Sequence, residues 1–121
     1  MDKQELQERM TDFAVRIINM VDALPSTLGA QTIARQIVRS GTSPSANYRA
    51  ACIAKSDKDF LNKLKMVEEE LDETCHWLEL IMRCQMLKPA RIEPLYQENK
   101  ELLSIIYCYP QSALNADKMV Q

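Results

Sequence analysis

The chain predicts an all-α fold, an antiparallel up-down-up-down bundle of four helices. Three observations point there. The 121 residues hold only two glycines and five prolines, too few turn formers for a sandwich or barrel. Strong helix formers (Leu, Met, Ala, Glu, Lys, Gln) dominate. Apolar residues recur at spacings of three and four through most of the chain, the mark of helices that bury one face. A length of 121 residues suits one domain around one core.

Helix one is expected over about residues 2–24. Leu6, Met10, Phe13, Ile17, Val21 and Leu24 form its stripe, widened by Ala14 and Ile18. Pro25 ends it, because the residue before a proline is driven out of the αR region. Ser26 or Thr27 can cap the next helix.

Helix two is expected over about 27–55, with Ile33, Ala34, Ile37 and Val38 on its apolar face. Gly41, Thr42, Ser43 and Pro44 then interrupt it with poor helix formers. Pro44 lacks an N–H and its ring crowds the carbonyl four residues back. Either one helix kinks near Pro44, or a first part ends at Gly41 and Ser43 caps a second. The helical pattern resumes at once with Ala46, Tyr48, Ala51 and Cys52, which favours the kink.

Helix three is expected over about 56–87. Ser56 with Asp59 resembles a capping box, and an acidic first turn suits the helix dipole. The stripe runs Phe60, Leu64, Val67, Leu71, Cys75, Leu78, Met82. That repeat predicts shallow left-handed packing. No Gly or Pro interrupts the span, so a rod of roughly 45 Å follows. Helix four is expected over about 89–109, on Ile92, Leu95, Tyr96, Asn99, Leu102, Leu103 and Ile106, with Pro110 as its stop. The tail 110–121 is expected to fray.

Helix three carries a second apolar stripe, Trp77, Leu80, Ile81, Cys84 and Leu87, and helix four adds Tyr107. These residues either fill the wide end of the core or form a subunit interface, since monomers seldom expose contiguous apolar patches. A homo-oligomer is expected.

Charge is blocked rather than mixed. Arg35, Arg39, Arg49, Lys55, Lys58, Lys63 and Lys65 face only Asp57 and Asp59 in their stretch. Glu68, Glu69, Glu70, Asp72, Glu73 and Glu79 then follow against Arg83 alone. Two readings stand. The blocks neutralise each other across neighbouring helices, with Arg39 reaching Glu70 or Glu73. Otherwise Arg35, Arg39, Arg49, Lys55, Lys58 and Lys63 form a patch for RNA or DNA. Asn47 and Arg49 sit just past Pro44, where freed carbonyls need donors.

Several classes of function find no support. The formal charge is −2, so nothing global marks a nucleic-acid binder. No run of eighteen apolar residues occurs, so no membrane span is expected. The N-terminus is polar and acidic, unlike a signal peptide, and a cytoplasmic protein is expected. Cys52, Cys75, Cys84 and Cys108 lack metal-ligand spacing and read as reduced, structural thiols. His76 is the lone histidine and points away from Cys75, about 100° around a helix. Glu70, Glu73 and His76 resemble a fragment of a di-iron site, but that site needs two Glu-x-x-His motifs. No catalytic residue, metal ligand or cofactor site is assigned, and no enzyme is expected.

The segments Gln36-Ile37-Val38-Arg39-Ser40, Ser43-Pro44-Ser45-Ala46-Asn47-Tyr48-Arg49 and Ser56 with Asp59-Phe60 resemble the 23S rRNA intervening-sequence proteins. Glu70, Asp72-Glu73-Thr74 and Trp77-Leu78-Glu79-Leu80 look like that family's third-helix motif, and Leu24-Pro25 like its first turn. The family is one of small bacterial four-helix bundles. It is similar to the accessory protein of diversity-generating retroelements, a pentameric barrel that binds nucleic acid and a reverse transcriptase. The resemblance implies a homopentamer that binds RNA or DNA, or alternatively a protein-interaction scaffold, for example for a reverse transcriptase. Arg39, Pro44, Asn47, Arg49, Glu70 and Glu73 are expected to act mainly structurally, at the Pro44 kink and across helices two and three. Ala50, Ile53 and His76 depart from the family pattern, and the first two remove charge near Arg49.

Overall fold

The computed structural model describes residues 1–120, with side chains for residues 1–108. Four helices follow in order: α1 (Lys3–Asp22), α2 (Leu28–Cys52), α3 (Asp57–Arg83) and α4 (Pro89–Val120). Each packs on the next, and α4 closes back on α1. The α2–α3 seam is the most extensive and the α1–α4 seam the thinnest.

Local chemistry starts each of the first three helices. Asp2, Thr27 and Ser56 adopt extended backbone, and their side chains accept from the N–H groups of Glu5, Ala30 and Asp59, filling donors that a helix start leaves open. The apolar stripes then meet in one core, which includes Leu6, Phe13, Ile17, Ile37, Tyr48, Leu64, Leu71, Leu78, Ile92 and Leu102.

The helix ends correct three expectations. α2 stops at Cys52 rather than near residue 55. α3 stops at Arg83 rather than at Leu87. Gln85 takes φ 54°, the left-handed conformation that glycine usually supplies. The Gln85 N–H reaches the Met82 carbonyl and the Met86 N–H reaches the Ile81 carbonyl, the pairing of a Schellman motif. α4 continues past Pro110, because a proline removes one helical hydrogen bond without forbidding the helix. The fraying expected of 110–121 lies outside the residues whose side chains are described.

α2 is one helix with Pro44 inside it, so the two-helix alternative falls. Hydroxyls crowd this stretch. Thr42 donates to the Val38 carbonyl (2.6 Å), Ser43 to that of Arg39 (2.7 Å) and Ser45 to that of Thr42 (2.9 Å). Such back-bonding tends to bend a helix. Ser, Thr and Gly here also permit close packing. A Cβ on Gly41 would meet Ile17 Cγ1 at 2.8 Å and Cγ2 at 2.9 Å, so α1 and α2 approach more closely than an alanine would allow.

On α3 the core uses Thr74 and Ile81, while Cys75 and Met82 are half-buried. Thr74 is buried because Ser40 faces it: the Thr74 hydroxyl lies 2.8 Å from the Ser40 hydroxyl and 2.8 Å from the Glu70 carbonyl. On the other side, Asn99 is fully buried and its Nδ2 donates to the Leu71 carbonyl at 3.1 Å. Nearby, the Tyr96 hydroxyl donates to Glu79 at 2.9 Å. That bond, first among several causes, holds the phenol well above its usual pKa.

Candidate nucleic-acid interface

The outward face of α2 is built from residues at helical spacing. Arg35, Arg39, Ala46, Arg49 and Ile53 are all exposed and fall on one side of the helix. Thr42, Ser43 and Ala50 lie among them, half-buried and small. Between Leu28 and Cys52 there is no acidic residue. Past the helix end, Lys55 and Lys58 are exposed at the α2–α3 corner, and Lys63 is half-buried on α3.

The six bases do not share one fate. Arg39 spans to α3, where it pairs with Glu70 at 3.1 Å and also contacts Glu73. The Trp77 Nε1–H donates to the same Glu73 carboxylate at 3.0 Å. Arg39 is thus neutralised, by the partners its position suggested. Among the described residues, Arg35, Arg49, Lys55, Lys58 and Lys63 enter no ion pair. The acids of α3 therefore cancel one base of the patch and leave five. Asn47 is half-buried and Arg49 is exposed. Around Pro44 the hydroxyls of Thr42, Ser43 and Ser45 bond to the carbonyls of Val38, Arg39 and Thr42, whereas the carbonyl that Pro44 frees, four residues back, is that of Ser40.

The second apolar stripe divides. Ile81 is fully buried and belongs to the core, not to a free surface. Trp77 and Leu87 are half-buried and pack on the core. Leu80 is half-buried, while Cys84 and Tyr107 are exposed. Exposed apolar side chains that the periodicity did not single out are Val15, Leu28, Ile53 and Met66. Leu28 and Ile53 stand 85% and 80% exposed at the two ends of α2, flanking the basic face.

A second cluster was not legible beforehand. Arg9 on α1 holds Glu98 on α4 through two bonds, Nε at 2.8 Å and Nη2 at 2.6 Å, and reaches Glu101 at 2.6 Å. The hydrogen bond from Arg9 holds the Glu98 carboxyl below its usual range, and its counterpart raises the guanidinium.

A hollow of about 830 Å³ lies at the α3–α4 corner, lined by Met82, Met86, Leu87, Lys88, Arg91 and Glu93 among others. It holds one carboxylate and two bases, with no paired acid and base. Among the described residues no three His, Cys, Asp or Glu are placed to hold a metal, and no helix is long and apolar enough to cross a membrane.

Comparison with known proteins places the chain. No curated protein matches it. A crystal structure of a protein of unknown function from Bacteroides thetaiotaomicron, of the S23 ribosomal protein family, is 32% identical. The alignment covers 92% of this chain and 99% of that one, with a TM-score of 0.84. The model of the 23S rRNA-intervening sequence protein family matches residues 2–108. With that match over nearly the whole chain, and with its motif residues gathered on α2 and α3, this protein belongs to the 23S rRNA-intervening sequence protein family.

Proposed function

We propose that this chain is a non-enzymatic, cytoplasmic, homo-oligomeric bundle protein whose basic α2 face engages the phosphate backbone of RNA or DNA. One observation carries the reading: α2 has three arginines and no acid over Leu28–Cys52, and its exposed Arg35 and Arg49 make no ion pair among the described residues. Lys55 and Lys58 extend the patch around the corner. Phosphate contacts need no sequence information, which suits a face without an enclosed pocket. A homopentamer, implied by the family resemblance, would repeat this modest patch five times. Repetition raises avidity without any new contact.

A second reading has its own support. Arg39 is clamped by Glu70 and Glu73, with Trp77 alongside. That surface suits a protein-interaction scaffold, for example for a reverse transcriptase or another nucleic-acid enzyme. A titration with structured RNA at ~50 and ~200 mM salt separates the two, since phosphate contacts weaken steeply over that range. Binding at the lower salt that fades at the higher is expected. Absence of binding at the lower salt leaves the scaffold. Light scattering tests the assembly: a mass near that of the 13.9 kDa chain would rule out the oligomer.

A further inference from the structure

We infer that the α2 face takes double-helical nucleic acid in preference to single strands. The inference rests on the proposed function and narrows its ligand. Proteins that hold single strands combine a basic groove with aromatic side chains on which bases stack, and stacking supplies much of the affinity. This face has the charge without the platform. Among the described residues the exposed rings are Tyr107 on α4, 65% exposed, and His76 on α3, whose ring centroid lies 5.0 Å from that of Trp77. Tyr48, the aromatic of α2, is fully buried. Phe60, beside the basic corner, packs on the core and carries the Lys3 ammonium over its ring at 5.6 Å. Trp77 is half-buried with its indole N–H engaged by Glu73. A base splayed onto α2 itself finds no exposed ring there.

What the face offers suits a stiff row of phosphates. α2 is a continuous helix, so its bases stand at fixed spacings. Arg35 and Arg49 are fourteen positions apart, roughly 21 Å along the axis. Lys55 and Lys58 adjoin Arg49 at the corner. Arg39, one turn on from Arg35, is already neutralised by α3. The free charge thus sits at the two ends of the face, Arg35 at one and Arg49 with Lys55 and Lys58 at the other, with small residues (Thr42, Ser43, Ala46) between. One stiff duplex, with a phosphate every ~3.4 Å along each strand, can meet both ends of the face at once. A duplex also carries the denser charge, so each base releases more counterion, about 0.9 per contact against about 0.7 on a single strand.

Fluorescence anisotropy on the full chain tests this with two probes at ~50 mM salt: a duplex RNA of two helical turns and an oligouridylate of the same nucleotide length. The duplex is expected to bind at least about tenfold tighter, and the Arg35→Ala/Arg49→Ala variant to reduce its log–log salt slope by about 2 per protomer engaged. Both changes are on exposed positions, and circular dichroism reports that the variant is folded. Equal or tighter binding of oligouridylate overturns the duplex preference while leaving the proposed function in place. A double variant that is folded and keeps the full slope overturns the assignment to this face. Binding of neither probe overturns both readings.

Discussion

Two clusters in this bundle have the same composition, one arginine between two glutamates, and sit in different surroundings. Arg9 with Glu98 and Glu101 closes the thin α1–α4 seam, and its arginine and Glu98 side chains are 28% and 16% exposed. Arg39 with Glu70 and Glu73 lies over the broad α2–α3 seam, and the arginine is 49% exposed. An ion pair's worth depends on how far both partners are withdrawn from water and on what else joins the elements it bridges. The first cluster binds two helices that share few other contacts. The second decorates a seam already held by packing and by the buried Ser40–Thr74 bond. The first is therefore expected to act on stability, the second on surface charge.

Removing each arginine tests the contrast. Arg9→Ala leaves Glu98 half-withdrawn from water without its bidentate partner, and is expected to destabilise by about 1–3 kcal/mol, between exposed and buried pairs. Chemical denaturation measures it, and a loss under about 0.5 kcal/mol would show that solvent screens the α1–α4 pair as well. Thr74→Val deletes the hydroxyl that meets Ser40 in the core and is expected to lose about 1–2 kcal/mol, mostly by stranding a buried hydroxyl. Arg39→Ala is expected to change stability by less than about 1 kcal/mol. A larger loss, or a change in oligomeric state, would give the Arg39 cluster the structural weight that its exposure argues against.

Acid sharpens the same comparison. The folded-state pKa of Glu98 is lowered by Arg9. Its contribution to stability is therefore complete above the unfolded carboxylate value, about 4.3, and is lost as pH falls through the lowered folded value. Stability measured from pH 6 down to pH 3 is expected to fall less steeply in Glu98→Gln than in the parent chain. Superimposable curves would remove Glu98 from the acid response. The smallest effect concerns the end of α3: Gln85→Gly relieves a left-handed non-glycine and is expected to stabilise by about 0.5–1 kcal/mol.

The helices were legible because buried faces write their period into the chain, and Thr27 and Ser56 announced two of the starts. The end of α3 was not, since Gln85 does a glycine's task without a glycine's signature. Nor was the choice of Thr74 and Ile81 over Cys75 and Met82 for the core. A threonine reads as polar until a partner such as Ser40 appears across the seam, and periodicity along one helix carries no record of the other. Arg39 could be matched to Glu70 and Glu73 because opposite charge blocks fall on successive helices. Arg9 and Glu98 lie 89 positions apart, and nothing local links them. The basic face emerged only in part, since composition lists bases without saying which of them an acid will claim.

The contact between Gly41 and Ile17 also fixes how the chain can go wrong. The other glycine, Gly29, has open space where a Cβ would stand, whereas at position 41 Ile17 fills that space. If α2 slid along α1 by one turn, Ile37, Val38, Pro44 or Ser45 would arrive opposite Ile17, and each carries the carbon that the gap refuses. A slide by one residue would bring Ser40 or Thr42, with the same result. A missing methyl group thus works as a keyway: competing registers of two otherwise interchangeable amphipathic helices are rejected by collision, so the native alignment is singled out against its nearest rivals.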